Sequence, residues 1–194
     1  MIAYLTGQFA HKTPAVVYID VNGVGYEVNI SLHTYSAIQQ KEKGMLFTYL
    51  QVKEDSHTLF GFADMEEKQL FIRLIGISGV GATTARMMLS ALKPEEITRA
   101  IIQSNTRLLE SIKGIGKKTA ERIVLELRDK LGKMEAAPVM GAALTVDSRE
   151  QDTLQALTAL GIPRQTAETA VRKVMGSAEG LDLEQLIKKA LQSI

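Results

Sequence analysis

The 194 residues are 45% hydrophobic and 23% charged, ordinary usage for a folded globular chain, and 23 Lys and Arg against 22 Asp and Glu leave a net charge of only +1. That balance excludes a uniformly basic nucleic-acid coat, so any contact with DNA must come from a local patch. The absence of cysteine excludes a disulfide framework and a thiolate metal site, and fits a reducing, cytoplasmic setting. No apolar run approaches the ~18 residues of a membrane span, and Met1 leads directly into strand-like alternation, so neither a membrane segment nor a signal peptide is expected.

In chain order, the first 63 residues read as strands. Ile2–Gly7, Val16–Ile19, Tyr26–Ile30, Met45–Val52 and Thr58–Phe62 are β-branched or aromatic runs, and Asn22-Gly23 predicts a tight or bulged hairpin between the second and third. Five or six short strands in so little chain predict a closed barrel of the OB type. With only 5% aromatic residues and no tryptophan, its core is expected to be aliphatic.

At Asp64 the hydrophobic period changes from two to 3.6. Asp64 is an expected N-cap for a helix from Met65 to about Leu74, with Glu66 and Glu67 in the first turn. From there to Leu131 the chain reads as short helices broken at glycine pairs, one opening at Pro94-Glu95-Glu96. Residues 64–131 also hold the positive excess, 13 Lys and Arg against 10 Asp and Glu when counted through Glu135. Residues 132–146, rich in Gly and Ala, read as a flexible linker. Residues 147–194 read as a three-helix domain: one helix opened by Asp147 or Ser148 and ended by Gly161, a second over about 164–175 and a third over about 183–192. The fold class expected is therefore α+β multi-domain: an OB-type β-barrel (1–63), a central all-α region (64–131), a linker (132–146) and a small helical domain (147–194).

The informative feature is an internal repeat. Residues 74–92 and 109–127 match at a shift of 35, with ten identities or close substitutions in 19 positions. Gly79-Val80-Gly81 pairs with Gly114-Ile115-Gly116, and Thr84-Ala85 with Thr119-Ala120. Each copy reads as helix, Gly-hydrophobic-Gly, helix. The glycines permit positive φ and close approach of backbone to a ligand, the residue between them plugs inward, and the next helix points its free N–H groups outward as an anion site. Lys117 and Lys118 stand in a first helical turn, where cations oppose the helix dipole. A phosphate lying between them and the helix end would account for that placement. The alternative is a pair of ordinary αα-hairpins whose glycines are merely C-caps.

The pattern Gly-hydrophobic-Gly-x-x-x-Ala, twice in register, resembles the helix-hairpin-helix DNA-binding family. Asn22–Val28, Lys53-Glu54-Asp55, Leu59–Phe62 and Gly114–Arg122 extend the resemblance over essentially the whole chain to the RuvA family of Holliday-junction-binding subunits. The resemblance implies a double helix-hairpin-helix centre, a UBA-like C-terminal domain, and a homotetramer, one or two per junction, that holds a four-way DNA junction open during recombination and repair of DNA damage. It implies as partners the RuvB ATPase ring, with the RuvC resolvase as a further one. It assigns backbone-phosphate contacts to Gly79, Val80, Gly81, Gly114, Ile115 and Gly116, added charge to Lys117, Lys118 and Arg122, an acidic pin to Glu54 and Asp55, and RuvB contacts to Leu157, Leu160, Ile162 and Leu191. For those leucines the residue pattern alone leaves open that they are core, with Ile162 the better surface candidate. The family often carries a lysine after the first Gly-hydrophobic-Gly. Here that stretch is Ala82-Thr83-Thr84-Ala85, so the first clamp is expected to use backbone N–H groups and the Thr83 or Thr84 hydroxyl.

No catalytic or metal site and no cofactor is expected. There is no Gly-x-x-x-x-Gly-Lys-Ser/Thr loop, and His11, His33 and His57 lack zinc spacing. Two other classes remain open on the residues alone: a metal-dependent nuclease using Glu54 and Asp55, and a protein–protein adaptor with a vestigial DNA site.

Overall fold

The computed structural model describes residues 1–135, 146–175 and 181–194. The chain falls into two compact units, Met1–Ala137 and Pro138–Ile194. The first begins with five strands, β1 (Tyr4–Lys12), β2 (Val16–Val21), β3 (Val24–Ile30), β4 (Lys43–Val52) and β5 (His57–Phe62), closed into a barrel in the order β1-β2-β3-β5-β4. All neighbours are antiparallel except β3 and β5. Alternation fills the barrel with Leu5, Phe9, Val17, Ile19, Val28, Ile30 and Leu46. The Asn22-Gly23 signal holds as a two-residue turn: Val21 pairs with Val24, and Asn22 and Gly23 both have positive φ (53° and 88°), as a type I′ hairpin demands. The bulge lies elsewhere, in β1 between Phe9 and His11.

A short helix, α1 (Leu32–Ile38), connects β3 to β4 and has no counterpart in the sequence reading. Seven residues show barely two turns of periodicity, and its one local signal is the Ser31 cap, whose hydroxyl accepts from the Thr34 N–H at 3.0 Å. Its stability comes from a buried carboxylate three elements further along the chain. Glu67 lies in the first turn of α2 (Met65–Ile75), fully buried, and accepts from the Ser31 hydroxyl, from the Thr34 hydroxyl at 2.5 Å and from the Ala63 N–H at 3.3 Å. The Asp64 cap appears as expected, accepting from the Glu67 N–H at 2.8 Å.

Helices α3 (Ala82–Ala91), α4 (Pro94–Ile102), α5 (Thr106–Glu110) and α6 (Lys117–Glu135) complete this unit. At the start of α4, Lys93 contributes no side-chain cap. Instead the Glu96 carboxylate accepts from the Lys93 N–H at 2.8 Å. Helix α6 runs to Glu135, past the residue where the linker was expected to start, and residues 136–145, the rest of that expected linker, lie outside the described residues. The wholly aliphatic core foreseen from composition is corrected at the seam between barrel and helices. Phe71 of α2 packs on Phe60 (5.1 Å), Phe62 (4.9 Å) and Tyr49 (5.6 Å), so three of the five phenylalanines sit in one cluster. Those rings belong to a single buried cluster that continues from β5 through α6, so no break in packing falls at residue 63.

The second unit contains α7 (Val146–Ala159), α8 (Arg164–Met175) and α9 (Leu183–Gln192) around Leu157, Ala167, Ala170, Val171, Val174, Leu186 and Ala190. Helix α7 already runs from Val146, so its start falls one or two residues before the expected Asp147 or Ser148. Gly161 ends it as expected, with φ +89° and a Schellman pair of bonds: Gly161 N–H to the Thr158 carbonyl (3.0 Å) and Ile162 N–H to the Leu157 carbonyl (3.1 Å).

Burial pushes the Glu67 carboxyl above its ordinary value of 4.5, against the opposing pull of the Ser31 and Thr34 hydroxyls, His33 and the Ala63 N–H. The folded chain thus holds this proton more tightly than the unfolded one, so stability falls as pH rises from 4.5 through the raised folded pKa. Denaturant titrations across that window are expected to show this decline in the parent and not in Glu67→Gln. Glu67→Ala, which leaves two buried hydroxyls without an acceptor, is expected to cost about 2–4 kcal/mol at neutral pH.

Candidate nucleic-acid interface

The two repeats fold alike, bond for bond. Helices α2 and α5 end 35 residues apart, at Ile75 and Glu110, and α3 and α6 start 35 apart, at Ala82 and Lys117. Val80 N–H donates to the Ile77 carbonyl and Ile115 N–H to the Ile112 carbonyl, both at 3.0 Å. Each closes a four-residue turn with glycine third, and those glycines have φ +94° (Gly79) and +92° (Gly114), the conformation a type II turn requires there. Ile77 and Val80 anchor the first turn in the core, Ile112 and Ile115 the second, leaving Ser78-Gly79 and Lys113-Gly114 exposed between them.

The second glycine of each pair has a different role from the one expected. Gly81 has an ordinary φ of −83°, and Gly116 is not in the positive-φ region. A Cβ at either would meet nothing within 4 Å. Neither conformation nor packing demands glycine there, whereas the close approach of an outside group would. Behind them the helices begin: the first helical bonds run from Ala85 N–H to the Gly81 carbonyl and from Ala120 N–H to the Gly116 carbonyl, both 2.9 Å. The N–H groups of Ala82–Thr84 and of Lys117–Thr119 therefore have no intrahelical acceptor, and Gly81 supplies no side-chain cap.

Charge distinguishes these two helix starts from those of α2 and α4, although the short helices α1 and α5 also lack an acid in the first turn. Helices α2 and α4 carry Glu66-Glu67 and Glu95-Glu96 in their first turns, where acid favours the dipole, while α3 and α6 carry none. Lys117 and Lys118 are exposed, with no ion-pair partner among the described residues. Arg122, one turn on, pairs with Glu126 at 2.7 Å. Lys113 is a cation of this hairpin that the sequence reading passed over. It sits exposed in the turn itself, and its counterpart at a shift of 35 is Ser78.

The first hairpin has no such cations. Thr83 is exposed and Thr84 half-buried. Arg86, the nearest cation along α3, is turned to the barrel: its Nη1 donates to the Asn29 Oδ1 at 2.7 Å and the Ala15 carbonyl at 3.1 Å, and burial lowers its pKa.

Glu54 and Asp55 lie exposed at the tip of the β4–β5 hairpin, in a turn closed by Lys53 N–H to the Ser56 carbonyl at 2.9 Å. His33, Asp64 and Glu67 bring metal-ligand atoms within 4.8 Å of one another. Asp64 Oδ1 caps α2, its Oδ2 faces His33 Nε2 at 3.6 Å, and the Glu67 oxygens accept from Ser31 and Thr34, which makes the group a structural network.

In the C-terminal unit the four expected contact residues divide. Leu157 is fully buried, a core residue and no surface contact. Ile162, the better surface candidate by sequence, is drawn against the core by the Schellman turn, whose following residue packs back on the helix. Leu160 (63% exposed) and Leu191 (40%) remain on the surface.

Comparison with known proteins covers the whole chain. A model described as the RuvA N-terminal domain matches residues 1–61, a helix-hairpin-helix tandem model matches 71–129, and a RuvA C-terminal domain model matches 148–194. A protein of Christiangramia forsetii named Holliday junction branch migration complex subunit RuvA is 44% identical over 194 residues, covering all of both chains. The chain belongs to the RuvA family. Similarly named RuvA proteins of Bacteroides fragilis (43%, all of both chains) and Laribacter hongkongensis (43%, all of this chain and 98% of the other) support the same placement. The tandem helix-hairpin-helix match covers both hairpins described above.

The two kinds of hairpin glycine are expected to separate experimentally. Gly79→Ala and Gly114→Ala should each cost about 1–2 kcal/mol of stability, the price of a left-handed alanine. Gly81→Ala and Gly116→Ala, at helix starts where alanine is a poorer cap but no left-handed φ is required, should cost less stability than those two, yet weaken DNA binding in gel-shift titrations, because the methyl occupies the approach to the amides.

Proposed function

We propose that this chain binds four-way DNA junctions by their shape, through backbone phosphates, and is the non-catalytic subunit of a branch-migration assembly. The observation that carries the reading is the pair of exposed glycine-edged turns, each opening a helix whose first N–H groups have no intrahelical acceptor and whose first turn holds no acid. Such amides recognise phosphate without reading base sequence. The first clamp binds through Gly79, Val80 and Gly81 and the hydroxyls of Thr83 and Thr84. The second binds through Gly114, Ile115 and Gly116, with Lys117, Lys118 and Arg122 adding charge. The names of the relatives support the junction as the DNA form and a multi-subunit complex as the setting.

Four copies around the junction would bring four Glu54-Asp55 tips together, where they would repel the phosphates of the crossover and keep the strands apart. The boundaries proposed for the working parts are 1–63, 64–131, 132–146 and 147–194. The last of these docks the RuvB-type ATPase ring through Leu160 and Leu191, the two of the four candidates with exposed side chains. The RuvC-type resolvase is a further partner. Among the described residues no helix is long and apolar enough to cross a membrane, and the setting proposed is the cytoplasm.

A gel-shift titration of a synthetic four-way junction against linear duplex of equal length, with the mass of the complex, tests the reading. The junction should bind far more tightly, as a tetramer or a pair of tetramers, with affinity falling steeply with salt. Equal competition by linear duplex would overturn it. Lys117→Glu with Lys118→Glu should abolish binding, which an adaptor with a vestigial DNA site would survive. Glu54→Gln with Asp55→Asn should tighten binding and loosen the preference for an open junction.

A further inference from the structure

At the position where α6 presents the exposed Glu121, the matching residue of α3, 35 earlier, is Arg86, and it does not face solvent alone. Its guanidinium bridges two fixed points of the barrel. The Ala15 carbonyl, 3.1 Å away, also accepts from the Ile30 N–H at 2.9 Å. The Asn29 side chain, accepting from Arg86 at 2.7 Å, points its own amide at the Leu59 carbonyl at 3.4 Å. One turn further along α3, the Ser90 hydroxyl accepts from the Leu32 N–H at 3.1 Å and donates back to the Arg86 carbonyl at 2.8 Å. Helix α3 is thus pinned to the barrel by Arg86, within a turn of its first amides, and to the start of α1 by Ser90.

We propose that Arg86 is a positioning residue that braces α3 on the barrel so that the bare amides of the first hairpin meet a DNA phosphate in register, its charge being spent on the brace and not on DNA. The inference rests on the hairpins being phosphate clamps. The second hairpin carries Lys113, Lys117 and Lys118, long side chains that follow a phosphate through small displacements. The first offers Ser78, Ala82 and Thr83 in their place and must rely on N–H groups, which bond only within about 3 Å. A clamp without adaptable cations works only if its backbone is held still. At a rise of about 1.5 Å per residue, Arg86 sits roughly 3–6 Å along the helix from the amides of Ala82–Thr84, close enough for its loss to tilt them.

Three variants of the full chain separate the possibilities: Arg86→Met, Arg86→Lys and the uncharged partner change Asn29→Ala. Junction affinity is measured over a salt series, with melting temperature and the amide resonances of both hairpins recorded without DNA. Arg86→Met and Asn29→Ala should each weaken junction binding roughly tenfold, as loss of a hydrogen bond to a charged group would. The slope of log affinity against log salt should stay unchanged, and the amides of Gly79–Thr84 should shift while those of Gly114–Thr119 do not. Arg86→Lys should fall with Arg86→Met despite keeping its charge. The proposal is overturned if Arg86→Met lowers the salt slope by about one while Arg86→Lys and Asn29→Ala bind normally, the signature of a direct phosphate contact. It is equally overturned if the variants lower only the melting temperature and leave affinity and first-hairpin resonances as in the parent. Failure of the unsubstituted chain to prefer junctions would instead count against the phosphate-clamp reading, and the resonance shifts, recorded without DNA, would still decide the brace.

Discussion

Everything proposed for this chain depends on keeping peptide N–H groups unpaired at the surface of a well-packed fold. An unpaired amide inside a protein is costly, so the chain must both expose these groups and prevent the turn from collapsing inward. It does so with a fixed device used twice. A buried aliphatic residue on each side of the bend, Ile77 and Val80 or Ile112 and Ile115, pins the backbone from below. The single glycine at positive φ between them turns the chain outward. The second glycine leaves the approach clear.

The two copies share that backbone and differ in what stabilises and charges it. The second is basic, its lysines set against the helix dipole with no acid in the first turn. The first lacks cations at the same positions, and its nearest arginine is committed to the barrel. A duplication that preserved the turn thus let its surroundings diverge, one copy leaning on charge and the other on rigid placement.

The barrel contributes to this placement. Phe71 seated among Phe60, Phe62 and Tyr49, Glu67 holding the cap of α1, and Arg86 reaching Asn29 all join β-structure to helix. Strands and hairpins therefore form one packed body, and the acidic tip at Glu54-Asp55 is carried on that same body at the end of the β4–β5 hairpin. The three-helix unit has its own small core of leucine, alanine and valine, and presents Leu160 and Leu191 outward.

Local chemistry was legible in the sequence wherever a short pattern has one cheap solution. Asn22-Gly23 meant a primed turn, Asp64 a helix cap, Gly161 a helix stop, and the 35-residue repeat set the register of both hairpins to the residue. Period alone also gave a strand-rich first third, at five or six strands where the fold has five, and a helical stretch after Asp64. What depends on neighbours distant in sequence was decided only by the tertiary structure. Helix α1 is too short to announce itself and exists because a carboxylate 36 residues after Ser31 completes its cap. Ile162, just past Gly161, looks the better surface candidate and Leu157 is open to either place, yet packing buries Leu157 and the Schellman bond draws Ile162 partly inward. Nothing local marks out Arg86 until the fold brings Ala15 and Asn29, 71 and 57 residues away, to its guanidinium. Period and propensity act over a few residues, whereas burial and buried hydrogen bonds are settled by whichever surfaces the folded chain brings together.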